Sequence, residues 1–132
     1  MKRDGFTLIE LLIVMALIGL LATIAIPRLT NTKERAQVAA MKTDLRNLVT
    51  MEENFLAENQ KYTIDLGTAY HVSPANRTPA ITLTSDGWTA VITSSNTTQQ
   101  CAVFVGSTPL APATREGAPA CAKGASSATP LP

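Results

Sequence analysis

A single carboxylate interrupts a long apolar run near the start of the chain. Phe6 to Ile26 is 21 residues, and Glu10 is its only ionisable side chain. At mid-bilayer such a charge costs about 2.5–3.5 kcal/mol on insertion scales, and less toward the end of the segment. Glu10 therefore needs a cationic partner or a proton. The hydroxyl of Thr7 is close enough in sequence to add a hydrogen bond. The second pair with chemistry to offer is Cys101 and Cys121, the only cysteines, with 19 residues between them. In an exported segment an even cysteine count reads as a disulfide, and two buried free thiols are the alternative. With the distant His71 they do not make a zinc pattern. The sequence holds no Ser/His/Asp set, paired-carboxylate cleft or glycine-rich phosphate loop. No residue is a candidate for catalysis, and neither a metal nor a cofactor is expected.

The elements that must position these residues follow from periodicity. The chain has 132 residues, of which 45% are hydrophobic, and a formal net charge of +1. Such a balance gives no basic excess to hold nucleic acid. At about 1.5 Å per residue, Phe6–Ile26 is long enough as a helix to cross the roughly 30 Å hydrocarbon core of a bilayer. No glycine occurs between Gly19 and Gly67 and no proline between Pro27 and Pro74. Helix formers fill the interval, and Val38, Met41, Leu45, Leu48, Val49, Phe55 and Leu56 recur near helical spacing. One helix is expected over 6–59, apolar all round in its first half and amphipathic in its second. Basic and acidic residues alternate from Arg28 to Lys61, the mark of a solvated face.

After the loop-like stretch 60–79 the period changes to two. Residues 80–84, 88–93 and 100–105 read as three antiparallel strands, with Asp86-Gly87 as a two-residue hairpin turn. One apolar face of this sheet would pack on the amphipathic half of the helix, an α+β arrangement with three to four strands. The tail from Gly106 carries five of the eight prolines, Pro109, Pro112, Pro119, Pro130 and Pro132, and is expected to lack regular structure. Trp88 at a strand start reads as core, and His71 as a loop histidine. Asn76-Arg77-Thr78 and Asn96-Thr97-Thr98 match the N-glycosylation acceptor pattern, a short and common one. Ser126-Ser127 and the tail threonines carry hydroxyls of the kind that O-glycans attach to, and nothing in the sequence specifies one.

Lys2-Arg3-Asp4-Gly5 followed by Phe6-Thr7-Leu8-Ile9-Glu10-Leu11-Leu12-Ile13-Val14 resembles the prepilin motif of type IV pilins and of the pseudopilins of type II secretion. Asp4 departs from the family's mostly basic or neutral leader. The resemblance implies a leader of residues 1–5 cut after Gly5, N-methylation of the new terminus Phe6, and Glu10 as fifth residue of the mature chain. It implies that the amine of one copy meets Glu10 of its neighbour during assembly, with Thr7 assisting. Gly19 and Pro27 coincide with a glycine and a proline that weaken the helix in many such proteins. The pair Cys101 and Cys121 is similar to the C-terminal disulfide loop of type IV pilins.

The implied organisation is a filament-core or membrane helix over 6–27 and a head over 28–132. The implied function is a pilus subunit serving attachment, twitching movement or DNA uptake. Its implied partners are identical or related subunits, a prepilin peptidase, an inner-membrane assembly platform and, before assembly, membrane lipid. Lys2 and Arg3 favour a cytoplasmic N-terminus. The runner-up is a pseudopilin, disfavoured by the cysteine pair and by the absence of Asp after Asp86, since that group often carries a C-terminal calcium site. Two further readings are a membrane-anchored periplasmic binding domain and a secretory signal peptide cut near Thr23-Ile24-Ala25.

Overall fold

The computed structural model describes residues 5–124. The expectations for Lys2 to Asp4, Ser126-Ser127, Pro130 and Pro132 lie outside the described residues. The fold is α+β, with element order α1 (Leu8–Asn59), a 3-10 turn (Gly67–Ala69), β1 (Ala80–Leu83), β2 (Trp88–Thr93), β3 (Gln99–Val105) and β4 (Ala120–Lys123). The chain divides into two compact units, one ending at Lys33 and the other beginning at Glu34.

In the first unit the side chains of α1 have almost nothing to pack against. Phe6 is 83% exposed, and the large apolar residues from Leu8 to Leu29 are likewise open. An 18-residue window of α1 has a mean hydropathy of 2.7 and no buried residue, which by length and composition suffices to cross a membrane. Both Gly19 and Pro27 lie inside helical backbone. Thr23 and Thr30 donate their hydroxyls to the carbonyls of Leu20 and Ile26, the back-bonding that spares a hydroxyl an apolar surrounding.

In the second unit α1 is amphipathic. Met41, Leu45 and Leu48 are fully buried against Trp88, Ala90, Ile92, Cys101 and Val103. The alternation of β2 and β3 puts these residues on one face of the sheet. The sheet is an antiparallel meander in the order β1-β2-β3-β4. Tyr62 closes one side of the core edge-on to Trp88, with ring centroids 6.4 Å apart.

Three expectations need correction. The tail from Gly106 is not wholly irregular, because it contains β4. Ala-Cys-Ala-Lys has little strand propensity of its own. It is a strand because it completes the ladder along β3, with Gln99 opposite Lys123 and Cys101 opposite Cys121. The sheet also has two apolar faces rather than one. Phe104 and Ala102 point away from the helix, and Leu110 and Ala113 from the proline-rich tail cover them. Finally, the hairpin turn is one residue earlier than Asp86-Gly87. Thr84 donates its amide to the Gly87 carbonyl at 2.9 Å, so Ser85-Asp86 are the turn residues. Gly87 is required by close approach: a Cβ there would lie 1.9 Å from the Val105 carbonyl oxygen.

Candidate functional site

The residues before α1 form a closed hydrogen-bonded unit. Thr7 precedes the first helical residue, and Glu10 stands three residues on. The Thr7 amide donates to Glu10 Oε2 at 2.9 Å and the Thr7 hydroxyl to the same oxygen at 2.8 Å. The Glu10 amide donates back to Thr7 Oγ1 at 3.3 Å. This reciprocal arrangement is a capping box, which satisfies donors that the start of a helix leaves without intrahelical partners. Helix-dipole attraction for an acid in the first turn adds to it. Sequence reasoning gave Thr7 only a supporting bond, although Thr-x-x-Glu before an apolar run is the signature of this cap. The carboxylate is thus positioned by its own chain, Oε1 accepts no hydrogen bond among the described residues, and Phe6 and Glu10 are both exposed.

Of the other sequence-selected residues, Cys101 and Cys121 are brought together as a disulfide, with a Cα–Cα distance of 4.0 Å across the β3–β4 ladder. It fastens the segment that carries Leu110 and Ala113 to the central strand. Gly19 and Pro27 make no site with any of these residues, and an added Cβ at Gly19 would meet nothing within 4 Å. His71 is exposed. Asn76 is unsuited to glycan attachment in the folded chain, because its amide group donates to Asp44 at 2.6 Å and accepts from Gln37. Asn96, by contrast, is exposed. Among the described residues no group of three His, Cys, Asp or Glu side chains could hold a metal ion.

The reading of α1 charges as a solvated face fails at two positions. Asp44 is 2% exposed and Glu52 fully buried. Asp44 accepts from the Ser73 amide at 2.9 Å, the Ser73 hydroxyl at 2.7 Å and Asn76. Its own carbonyl accepts from the Tyr70 hydroxyl. Glu52 accepts from the Thr63 amide at 3.1 Å. Burial pushes its carboxyl above the ordinary carboxylate range, the Thr63 bond opposes this, and the neighbouring charge of Glu53 adds to it. Both acids hold the 60–79 loop to the helix. The signal available in the sequence was their spacing: Asp44 and Glu52 fall on the same helical face as Met41, Leu45 and Leu48.

Residues 1–26 match the family model described as the prokaryotic N-terminal methylation motif. The chain is similar to type IV pilins. It is 46% identical over 61 residues to the type IV major pilin protein PilA of Myxococcus xanthus, which is 46% of this chain and 28% of that protein. It is 36% identical over 84 residues to the type IV wide pilus major component PilA4 of Thermus thermophilus, covering 61% of this chain and 64% of that protein. It is also 34% identical over 80 residues to the type II secretion system core protein G of Vibrio cholerae, covering 59% and 55%. The chain spans less than two thirds of the length of each of these relatives.

Proposed function

We propose that this chain is a structural subunit of a type IV pilus, made as a precursor in the inner membrane, cut after Gly5, methylated at Phe6 and then packed into a surface filament. The observation that carries the reading is the methylation motif at residues 1–26, continuous with an exposed apolar helix that needs either lipid or neighbouring helices around it. Similarity to major pilins supports the same reading.

In this reading Glu10 does two jobs in succession. In the single chain its Oε2 caps the helix through Thr7. In the filament its open Oε1 receives the amine that cleavage creates at Phe6 of a neighbour. Desolvation offsets much of the energy of such a pair, so the contact sets register more than it adds stability. Prepilin peptidase and the assembly platform are the enzymatic and mechanical partners. The chain itself acts without catalysis.

The similarity to core protein G favours a second reading, a pseudopilin that drives protein export. The test is intact mass and abundance in the filament fraction sheared from cells. Abundant protein beginning at methylated Phe6, two hydrogens light for the Cys101–Cys121 bond, is the expected result. Protein cut at the same place but confined to the membrane would favour the pseudopilin. A start after Ala25 would overturn both.

A further inference from the structure

A groove of about 330 Å³ runs between α1 and the end of the 3-10 turn, within the second unit. Asn47, Thr50, Met51 and Asn54 form one wall, and Tyr70 and His71 the other. Asn47 and Asn54 are seven residues apart, with Thr50 and Met51 between them on the same helical face. Their positions are therefore about 10 Å apart along the axis. The opposite wall is fixed to the helix. The Tyr70 hydroxyl donates to the Asp44 carbonyl at 3.0 Å, and the Ser73 amide and hydroxyl donate to the Asp44 carboxylate. His71 is held between these two anchored residues, so the groove is shaped before any ligand arrives, which lowers the ordering cost of binding.

The polar groups of this groove are not used by the fold. Asn47, Asn54 and His71 are exposed, and their side chains have no hydrogen-bond partner among the described residues. Two other asparagines of the second unit are engaged: Asn59 donates to the Phe55 carbonyl and Asn76 to Asp44. The Thr50 hydroxyl donates to the Arg46 carbonyl and can still accept. Each carboxamide offers donors and an acceptor in one plane, and an imidazole can do both. No lining residue is Asp, Glu, Lys or Arg, so nothing here would pair with a phosphate, a carboxylate or an ammonium group. A peptide is usually held by a sheet edge or an apolar helix-binding groove, and these walls present neither. The matching ligand is uncharged, carries closely spaced groups that both donate and accept, and has C–H surface to lie against Met51 and Tyr70. Sugars have that chemistry, and the volume is at the lower end for small-ligand sites.

We propose that this groove binds a neutral carbohydrate, a mono- or disaccharide unit, whose hydroxyls pair with Asn47, Asn54 and His71 while a ring face covers Met51. The site belongs to the head alone. It goes beyond the pilus reading and does not depend on it.

His71 supplies the reporter, because it is the only histidine and its ring proton signals need no further assignment. The test is titration of the full-length chain, held at constant pH in a phosphocholine detergent that brings no sugar headgroup. The probes are maltose, cellobiose, lactose and N,N′-diacetylchitobiose, each taken to about 50 mM, since a few exposed hydrogen bonds give millimolar binding. At least one should shift the His71 ring signals in a saturable way. Asn47→Ala and Asn54→Ala should each weaken that binding about fivefold, the worth of one such hydrogen bond. Thr98→Ala, an exposed change on the β2–β3 turn, should leave it unchanged. Trp88 fluorescence confirms that each variant is folded. No saturable shift with any of the four sugars overturns the proposal, and so does binding that both asparagine variants retain in full. A saturable shift with trialanine and none with a sugar would assign the groove to a peptide and also overturns it. Filament yield plays no part in this titration, so the pilus reading stands or falls separately.

Discussion

Asp44 is the residue whose removal should most clearly expose how the head is held together. Replacing it with Ala deletes the acceptor for the Ser73 amide, the Ser73 hydroxyl and the Asn76 amide group, bonds of 2.9, 2.7 and 2.6 Å. Hydrogen bonds to a charged group contribute about 1.5–3 kcal/mol each, but bonds in one network do not add. The donors are only partly buried, so water can recover some of the loss. A destabilisation of about 3 kcal/mol follows. Asp44→Asn should cost about 1 kcal/mol, because its carbonyl oxygen can still take the Ser73 and Asn76 donors while the Ser73 hydroxyl reverses to accept from the new amide.

Trp88 supplies the assay. It is the only tryptophan and is fully buried, so its fluorescence should report unfolding of the head directly. With a urea m-value of about 1–2 kcal/mol/M for a unit of this size, Asp44→Ala should move the midpoint down by about 2 M in full-length protein held in detergent. Ser73→Ala combined with Asp44→Ala should cost little more than Asp44→Ala alone. A midpoint shift under about 0.5 M for Asp44→Ala would refute the reasoning, since it would mean that the loop is held by packing and not by this carboxylate.

Gly87→Ala should destabilise the head by about 3 kcal/mol or more, because backbone and not a yielding side chain meets the new Cβ; a urea midpoint equal to wild type would contradict the close approach to Val105. Removing the disulfide as Cys101→Ser with Cys121→Ser should cost about 3 kcal/mol for a loop of this length, seen as faster limited proteolysis within residues 107–119. Glu52 gives a pH effect of definite sign. Its folded-state value lies above the ordinary 4.5, so the folded chain holds the proton more tightly; its contribution to stability is largest below that ordinary value and is lost as pH rises through the folded one. Glu52→Gln should flatten the urea midpoint across that window, and an unchanged pH profile would remove the desolvation argument. In cells, Glu10→Val should leave the chain cut after Gly5 but poorly incorporated, measured as cleaved protein in membranes against sheared filaments.

The sequence made the large elements legible because each has a strong period. Twenty-one residues with one charge, a glycine-free interval of helix formers, and alternating strands around Asp86-Gly87 all state their own structure. What escaped notice was decided by partners distant in sequence. β4 exists only because β3 offers an open edge and Cys101 a bond to Cys121. Leu110 and Ala113 look like filler in a proline-rich tail, yet they cover Phe104 on the outer face. Asp44 and Glu52 were hidden by their charge. Their helical phase matches Met41 and Leu48, but a rule that assigns acids to solvent overrides that phase unless the loop amides of Ser73 and Thr63 are already known to need acceptors.

Glu10 shows how the same residue can read differently at two scales. From composition it is a stranded charge, and the resemblance explains it through a partner on another chain. The geometry shows that in the single chain it is already provided for, with two donors from Thr7 on Oε2. On the pilus reading proposed above, this changes what assembly has to achieve. The neighbour's amine need not rescue an isolated carboxylate; it has only to add to a capped one, at the open Oε1. The cap fixes the side chain's direction beforehand, which lowers the ordering cost of the later contact. It follows that Thr7→Val, which keeps the charge and the side-chain shape but deletes the hydroxyl bond, should leave cleavage unchanged and lower incorporation less than Glu10→Val does. Equal defects would mean that the cap, and not the charge, is what assembly requires. No defect at all would mean that the amine positions Glu10 unaided.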